Sequence, residues 1–410
     1  MNIEKKYLLT THIDSLDLTD KRVLIRADLN IPINNGIISC DHKLKALLPT
    51  IAKIKKKGAK IVLITHMGRP THKASELSTQ NLIPWFVHNG YRTTFAKTIA
   101  QGRQKSFENK NTLLLIENLR FFPGERKKDE LFAKELHQLG DYFINDAFGA
   151  IHNDDTSITL LPKLFPPDKR FIGPLIEKEI TQLSKLSNNP AQPFVLILGG
   201  KKIKTKLPLI EHILEKTQKI LLAPAISFTF SQYKGEKIGN SLVDATCLPF
   251  ISTILTKAKQ LEVQLVLPSD YLIAKGNFDG PTSYIDSQNI PNDFVGVSIG
   301  PKTMQIFAQE IMNAKTIFFN GAFGNIRKRE TLDGMKAILL AMTRSKAFTV
   351  IGGGDSVYAA YLFGVDKQID YLSTGGGATL AYLSGKQLPG LRVFNVYHSS
   401  KTKTQDKNQA

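Results

Sequence analysis

The feature that most constrains the fold is a series of short, uninterrupted apolar runs. They cover residues 23–25, 61–64, 113–116, 142–144, 194–198, 220–222, 317–319 and 348–351. A strand buried on both faces of a parallel sheet is continuously apolar rather than alternating, and these runs fit that pattern. Longer segments such as residues 44–54 and 335–342 lie between runs and carry helical apolar spacing. Strands joined by helices predict an α/β protein with parallel-rich sheets.

The chain has 410 residues, which is more than one hydrophobic core usually serves, so we expect two domains. A Gly-Pro pair at residues 173–174 opens an amphipathic segment, and a polar loop follows it. The predicted division is an N-terminal domain at 1–172, a helix and linker at 173–192, a C-terminal domain at 193–385 and a final segment at 386–410. The polar tail from residue 398 predicts disorder.

The composition is ordinary except for its charge. Lys and Arg number 54 against 36 Asp and Glu, which gives a net charge of +18. Such a charge attracts anions, and a nucleic-acid partner is one interpretation. Scattered solvated lysines are favoured over it, because no basic and aromatic interleaving is present. Two cysteines, no apolar run of membrane-spanning length and no signal-peptide pattern predict a reduced, cytoplasmic protein without membrane partners.

Two glycine clusters, at residues 352–356 and 374–378, each follow an apolar run and precede a segment with helical spacing. Glycines at such a turn let backbone N–H groups approach an anion at a helix N-terminus. Asp355 adds a hard oxygen ligand of the kind that Mg²⁺ takes beside phosphates. The pair of clusters predicts a nucleotide-phosphate site, although glycines in plain tight turns remain an alternative.

Polar side chains follow three apolar runs in the N-terminal half. Asp28 and Asn30 follow the first run, His66 and Arg69 the second, and Arg120 the third. Ligands bind at the carboxyl edge of open α/β sheets, where such strand ends meet. The cationic groups predict a site for a small phosphorylated or carboxylated anion.

The chain resembles phosphoglycerate kinase over nearly its full length. The resemblance rests on ten motifs in order: RADLNIP (26–32), THMGRP (65–70), ENLRFFPGE (117–125), NDAFG (145–149), GPLIEKE (173–179), LGGKKIKTK (198–206), IGPKT (299–303), FNGAFG (319–324), GGGDS (352–356) and STGGGA (373–378). It implies two Rossmann-like domains joined by a hinge helix with a cleft between them. It also implies that the C-terminal segment returns to the N-terminal domain, and that the enzyme is a monomer.

The implied reaction is reversible phosphoryl transfer between 1,3-bisphosphoglycerate and ADP, giving 3-phosphoglycerate and ATP with Mg²⁺. The resemblance implies acid-substrate roles for Asp28, Asn30, Lys43, His66, Arg69, Arg120 and Asn153. It implies nucleotide-binding roles for Lys202, Lys206, Gly296, Asn320, Arg327, Gly353, Gly354, Asp355 and Ser356, with Asp355 as the metal ligand. The implied catalytic groups are Lys43, Lys206, Gly375 and Gly376.

Several positions depart from the pattern of the family. Lys43 stands where the family has an arginine that is thought to stabilise the transferring phosphoryl group, and a lysine lacks the bidentate fork. Asn153 replaces an arginine, and Asp154 and Asp155 follow it. Arg327 replaces an acidic residue. Two alternatives therefore stay open: a catalytically weak or inactive relative that binds nucleotide or RNA, and a kinase for another small carboxylic acid.

Overall fold

The computed structural model describes residues 12–34, 36–108 and 112–395. The described backbone divides into two compact units. Unit 1 contains the described residues up to Thr181 and those from Gly385 onward, and unit 2 spans Gln182–Ser384. The tail from residue 398, predicted to be disordered, lies outside the described residues.

The strands of unit 1 form one six-stranded sheet and one small hairpin. They are β1 (Arg22–Ala27), β2 (Ile33–Asn34), β3 (Ile37–Ile38), β4 (Lys60–Ile64), β5 (Thr93–Ala96), β6 (Leu113–Ile116), β7 (Tyr142–Asp146) and β8 (Arg170–Ile172). The sheet has the order β5-β6-β4-β1-β7-β8, and each adjacent pair is parallel. Strands β2 and β3 pair antiparallel.

The helices on this part of the chain are α1 (His42–Lys56), α2 (Ile83–His88), α3 (Ile99–Glu108), α4 (Glu130–His137), α5 (Thr156–Thr159), α6 (Leu161–Leu164) and α7 (Pro174–Ser187). Short 3-10 turns lie at Ile13–Ser15, Ser75–Leu77, Thr79–Leu82, Leu119–Phe121, Pro123–Arg126 and Phe148–Ala150. The boundary between the two units lies within α7.

The strands of unit 2 form a second six-stranded sheet and a three-stranded one. They are β9 (Phe194–Leu198), β10 (Lys219–Leu222), β11 (Gln264–Val266), β12 (Tyr271–Lys275), β13 (Thr282–Ile285), β14 (Phe294–Ile299), β15 (Thr316–Asn320), β16 (Phe348–Gly352) and β17 (Tyr371–Leu372). The larger sheet has the order β11-β10-β9-β15-β16-β17 with parallel pairs throughout. The smaller sheet, β13-β12-β14, is antiparallel.

The helices of unit 2 are α8 (Leu207–Ile213), α9 (Pro224–Tyr233), α10 (Leu248–Gln260), α11 (Pro301–Met312), α12 (Asp333–Arg344), α13 (Gly354–Leu362) and α14 (Gly376–Leu383). Its 3-10 turns are Ile203–Thr205, Ala245–Cys247, Arg329–Thr331 and Asp366–Gln368. A final helix, α15 (Pro389–Arg392), belongs to unit 1, where the Gly390 amide donates to the Ile151 carbonyl at 2.9 Å.

The apolar spacing of α1 shows how helices cover the sheets. Leu44, Leu47, Ile51 and Ile54 repeat every three or four residues, so they share one face of the helix. All four are buried in the same hydrophobic cluster as Val23 of β1. Burying side chains of this size contributes about 1.5–3 kcal/mol each to stability. The helix is therefore held against the sheet by the stripe that predicted it.

The predicted fold class is confirmed. Each of the apolar runs lies within a strand, and both large sheets are parallel. The three-stranded antiparallel sheet was not predicted, because β13 is largely exposed and has no apolar run. The domain boundaries predicted near residues 172 and 193 stay a prediction.

Candidate active site

Four strands of unit 1 end next to one another at one edge of its sheet. The order β6-β4-β1-β7 makes these strands neighbours, and their parallel direction brings their carboxyl ends together. Asp28 and Asn30 follow β1, His66 follows β4, and Arg120 follows β6. We call this the unit 1 edge.

Arg26, at the end of β1, is fully buried beneath this edge. Its Nε donates to Ser157 Oγ at 2.7 Å, and its Nη2 lies 3.6 Å from Glu125 Oε1. Glu125 in turn accepts from Ser157 Oγ at 2.6 Å and from the Ser157 amide at 3.1 Å. Burial raises the pKa of Glu125 to about 7, although the charge of Arg26 opposes that shift. The pair is thus a hydrogen-bonded buried network that supports the residues above it.

Asp28 and Lys43 form a close ion pair at the unit 1 edge. Lys43 Nζ lies 2.6 Å from Asp28 Oδ2, and the Asn30 amide donates to Asp28 Oδ1 at 3.1 Å. Burial by itself would raise the pKa of Asp28. The ammonium of Lys43 and the hydrogen bonds outweigh burial and lower the pKa to about 2. Asp28 is therefore ionised at neutral pH and holds Lys43 at this edge.

His66 is buried at the centre of the edge. Its Nδ1 lies 3.2 Å from Arg26 Nη2. Since a guanidinium has only donors, Nδ1 is the acceptor and the ring proton is on Nε2. Burial and then the charge of Arg26 hold the pKa of His66 well below its usual value. His66 is thus a neutral hydrogen-bond donor at neutral pH.

Asn30 and Arg120 both hold the loop that follows β4. Asn30 Oδ1 accepts from the Gly68 amide at 2.8 Å, and Arg120 Nη1 donates to the Gly68 carbonyl at 2.5 Å. Gly68 has a φ of +60°, a conformation that favours glycine. Arg69 comes next and is exposed, and its guanidinium has no partner among the described residues. The guanidinium of Arg69 therefore has no partner among the described residues, whereas the guanidinium of Arg120 is fixed by this loop.

The segment after β7 adds three polar side chains to the unit 1 edge, those of His152, Asn153 and Asp155. Asp155 Oδ2 lies 3.7 Å from Arg120 Nη2. Asn153 is partly buried, and its side chain makes no hydrogen bond within the described residues. His152 Nδ1 is buried without a partner, and burial lowers the pKa of this histidine. This part of the unit 1 edge thus carries several polar atoms that have no hydrogen-bond partner among the described residues.

Four strand exits of unit 2 meet in the same way, after β9, β15, β16 and β17, and we call this the unit 2 edge. The Gly200 amide donates to the Ala322 carbonyl at 2.9 Å. Gly321 has a φ of +100°, and a Cβ there would collide with the backbone of Gly199. The two turns approach so closely that side chains are excluded from both.

Lys206 lies beneath these turns and is 5 % exposed. A Cβ at Gly200 would be 3.4 Å from Lys206 Nζ, so the ammonium packs against the turn. It has no hydrogen-bond acceptor among the described residues. Burial, followed by the charge of Lys202, lowers the pKa of Lys206 to about 8, and Asp355 opposes the shift. Lys202 itself is exposed.

Asn320 and Ser356 fasten the glycine turn after β16. Asn320 Nδ2 donates to the Gly352 carbonyl at 2.9 Å, and Ser356 Oγ accepts from the Gly321 amide at 2.8 Å. Gly353 has a φ of +94°, and a Cβ on it would lie 3.0 Å from Asn320 Nδ2. Both polar side chains therefore hold the backbone of neighbouring glycines in place.

The helices α13 and α14 begin side by side. A Cβ on Gly376 would lie 3.7 Å from Gly353 Cα, so the two predicted glycine turns are in contact. Gly354 and Gly376 are the first residues of their helices, and Gly375 precedes α14. The first N–H groups of a helix have no intrahelical partner, and the dipole there favours anions. Two such ends together form a suitable cradle for phosphates.

Asp355 lies in the first turn of α13 and is exposed. Its carboxylate makes no hydrogen bond or ion pair within the described residues. The described part of the chain has no group of three or more His, Cys, Asp or Glu that could enclose a metal ion. A single free carboxylate fits Mg²⁺, which takes few protein ligands and fills its octahedron with phosphate oxygens and water.

Gly296 and Arg327 lie elsewhere in unit 2. Gly296 is in β14, its amide donates to Ser241 Oγ at 2.8 Å, and the ring of Phe228 fills the space of a Cβ. Arg327 is exposed, and its amide donates to Asn325 Oδ1 at 3.0 Å. No hydrogen bond or ion pair within the described residues joins either one to the glycine turns. Their predicted nucleotide roles stay predictions.

Sequence reasoning missed Arg26, Glu125 and Ser157 as site residues. One signal was available, because an arginine at the end of an apolar run must find a carboxylate or hydroxyl partner when it is buried. The identity of those partners was not readable, since they lie 99 and 131 positions away along the chain.

The chain is similar to known proteins over most of its length. The family model described as phosphoglycerate kinase matches residues 13–386. A phosphoglycerate kinase of Borrelia garinii subsp. bavariensis is 38% identical over 384 residues, which are 91% of this chain and 96% of that protein. A phosphoglycerate kinase of Pseudothermotoga lettingae is 37% identical over 391 residues, covering 93% of this chain and 97% of that protein.

Solved structures give the same result. The chain is similar to phosphoglycerate kinase from Pyrococcus horikoshii OT3 with a TM-score of 0.80 and 27% identity. It is similar to phosphoglycerate kinase from Coxiella burnetii with a TM-score of 0.75 and 30% identity. Each match covers 93% of this chain and 98% of the other.

Proposed function

The chain belongs to the phosphoglycerate kinase family, and from this premise we propose how its residues divide the work of phosphoryl transfer. It is a phosphotransferase with a carboxyl group as acceptor. The phosphoryl group passes between the acyl phosphate of 1,3-bisphosphoglycerate and ADP, giving 3-phosphoglycerate and ATP in glycolysis. Catalysis of such a transfer is mainly positioning and neutralisation of charge.

The unit 1 edge binds the acid in this proposal. Arg69 and Arg120 supply guanidinium groups for its phosphate or carboxylate, and Asn153 offers a neutral amide beside them. His66 donates from Nε2, because its Nδ1 is committed to Arg26. Asp28 accepts from the substrate hydroxyl while it holds Lys43 near the reacting carboxyl group. Asn30 acts through the loop at Gly68 rather than on the substrate.

The unit 2 edge binds the nucleotide phosphates. The free N–H groups at the starts of α13 and α14, from Gly354 and Gly376 onward, donate to them. Asn320 and Ser356 keep these turns in place. Lys202 reaches the phosphates from the surface, and Gly375 with Gly376 faces the transferring group.

Asp355 would hold a Mg²⁺ ion together with the nucleotide. When bound, the metal neutralises charge that develops on the phosphate oxygens. Asp355 contributes one oxygen, and its position in the first turn of α13 keeps that oxygen beside the amide cradle.

One observation carries the nucleotide half of the proposal: Lys206 is only 5% exposed, and its ammonium has no acceptor among the described residues. Burying a charge is costly unless a partner is present, so the site is built for an anion that arrives from outside. Lys206 neutralises the moving phosphoryl group as a compact charge on a long stem.

A coupled assay with 3-phosphoglycerate and Mg-ATP tests the proposal. We expect turnover by the wild-type chain and a loss of about 10²–10³ in kcat for Lys206→Gln. The exposed neighbour Lys201→Gln is the matched control, and it should stay within twofold of the wild type. Absence of wild-type turnover, or equal rates in the two variants, would overturn it.

The predicted partners are small molecules, 3-phosphoglycerate and ATP. The predicted cytoplasmic location and monomeric state stay predictions. Each helix within residues 12–34, 36–108 and 112–395 is too short or too polar to span a lipid bilayer.

A further inference from the structure

Arg120 and Asp155 form an ion pair in which the two groups do not come within hydrogen-bonding distance. Arg120 Nη2 and Asp155 Oδ2 are 3.7 Å apart, which is too long for a hydrogen bond. Arg120 Nε and Asp155 Oδ2 are both buried without any hydrogen-bond partner. Buried polar atoms are nearly always hydrogen-bonded, so Arg120 Nε is suited to an acceptor that enters beside it, whereas the carboxylate of Asp155 can accept but not donate.

The carboxylate of Asp155 has no structural task that explains its presence. Asp155 is the N-cap of α5, but its side chain makes no capping hydrogen bond. Its backbone carbonyl accepts from the amides of Ile158 and Thr159 at 2.9 and 3.0 Å, which any residue could do. The start of α5 therefore depends on the backbone of this residue and not on its charge.

The neighbouring carboxylate behaves differently. Asp154 pairs with Lys128, and the two side chains are 48% and 56% exposed. Of the two acidic residues that follow Asn153, only Asp155 faces the unit 1 edge. The chain thus offers two adjacent carboxylates, one in the site and one on the surface.

The other charges around Arg120 are Arg26, Arg126 and Glu125. Glu125 is committed to Ser157 and Arg26, as described above. Burial lowers the pKa of Arg120, and Asp155 is the strongest influence in the opposite direction. Asp155 is therefore the main counter-charge of Arg120.

We propose that Asp155 is an internal competitor for Arg120, taking the place beside the guanidinium that an anionic group of the acid substrate must take. This inference rests on the proposed function, because it assumes that Arg120 binds the acid. Substrate entry weakens the pair with Asp155, so a highly charged phosphorylated acid binds less tightly than the cations alone would allow. Asp155 is thus a residue that sets substrate affinity and charge preference.

Removing the charge tests the proposal without removing the shape. Asp155→Asn should lower the KM for 3-phosphoglycerate about tenfold, equivalent to about 1.4 kcal/mol. The change should lie in KM far more than in kcat. Inorganic sulfate, used as a competitor, should inhibit this variant at correspondingly lower concentration.

Three further variants make the test specific. Asp154→Asn removes the same charge one position away and should leave KM within twofold. Asp155→Glu keeps the charge and should keep KM near the wild-type value. Asp155→Ser removes the charge with a good N-cap residue, so it repeats the test if Asp155→Asn does not fold.

An unchanged or raised KM in a folded Asp155→Asn or Asp155→Ser protein would overturn the inference. So would an equal fall in KM for Asp154→Asn, which would indicate a general field effect. If the wild type itself shows no turnover, the proposed function fails instead, and the two failures are distinct.

Discussion

The ionisation of Lys206 makes the sharpest prediction about nucleotide binding. Burial lowers its pKa from 10.5 to about 8, a shift worth about 3 kcal/mol against the charged form. The folded pKa lies below the usual value, so the ammonium is present below pH 8 and is lost as the pH rises through it. The protonated fraction falls from about nine-tenths at pH 7 to about one-tenth at pH 9.

A bound nucleotide should reverse this shift. A phosphate charge about 4 Å from the ammonium contributes about 4 kcal/mol at an effective dielectric constant of 20. That gain corresponds to about three pKa units and returns the pKa of Lys206 above 10. The free enzyme and the complex should therefore differ in their pH dependence.

Steady-state assays with saturating 3-phosphoglycerate and varied Mg-ATP from pH 7 to 9.5 measure this difference. Because kcat/KM for Mg-ATP reports the enzyme without nucleotide and kcat the complex with nucleotide, kcat/KM should fall about tenfold between pH 7 and pH 9 while kcat stays level. The second ionisation of a phosphate has a pKa near 6 and is about nine-tenths complete at pH 7, and completing it raises rather than lowers the charge that Lys206 binds.

Lys206→Arg is the matched variant, because an arginine stays charged throughout. Its kcat/KM should be lower than wild type in absolute value but level across the range. Lys201→Arg should keep the wild-type profile. An alkaline fall in the Lys206→Arg variant, or a level wild-type profile, would refute the assignment of this charge to Lys206.

Three further predictions concern other parts of the two edges. Lys43→Arg should raise kcat by about tenfold or more in the coupled assay. A guanidinium can keep the hydrogen bond to Asp28 and still make a bidentate contact with the phosphoryl group. An unchanged kcat would count against the placement of residue 43 beside that group. Burial raises the pKa of Asp146 from 3.8 to about 7, so the free energy of unfolding should fall as the pH rises from 4 to 7. In urea unfolding, Asp146→Asn should reduce this pH dependence to the part that Glu125 contributes, and an unaltered pH dependence would contradict the prediction. Gly353→Ala should weaken Mg-ADP binding by at least about tenfold in calorimetry, because φ is +94° there, and wild-type affinity would show that the turn is not part of the cradle.

The large sheets were predictable because strands that are buried on both faces appear in the sequence as continuous apolar runs. The run at residues 194–198 is buried at every position and could only be an interior strand or a short piece of helix. The edge strand β5, with Thr93 and Thr94 among its four residues, carries no such signal. The antiparallel sheet of β12 to β14 was missed for a different reason: β12 has a buried apolar run at residues 271–274, but the pairing of these strands depends on long-range register.

The candidate site was predictable to the level of residue type and strand end. His66 and Arg120 lie at the same edge because their strands are neighbours, and that neighbourhood is decided by the order of the sheet. The directions of individual side chains were not predictable. Asp154 and Asp155 are identical residues in adjacent positions, and only the turn before α5 sends one to the surface and the other to Arg120.

The central claim is that unit 1 binds the acid and unit 2 binds the nucleotide. Separate calorimetric titrations of 3-phosphoglycerate and of Mg-ATP into the wild type, Arg120→Gln and Lys206→Gln test it most directly. Arg120→Gln should lose acid binding and keep Mg-ATP binding, and Lys206→Gln should lose Mg-ATP binding and keep acid binding. Loss of the other ligand by either variant, or no heat from one ligand with the wild type, would contradict the account.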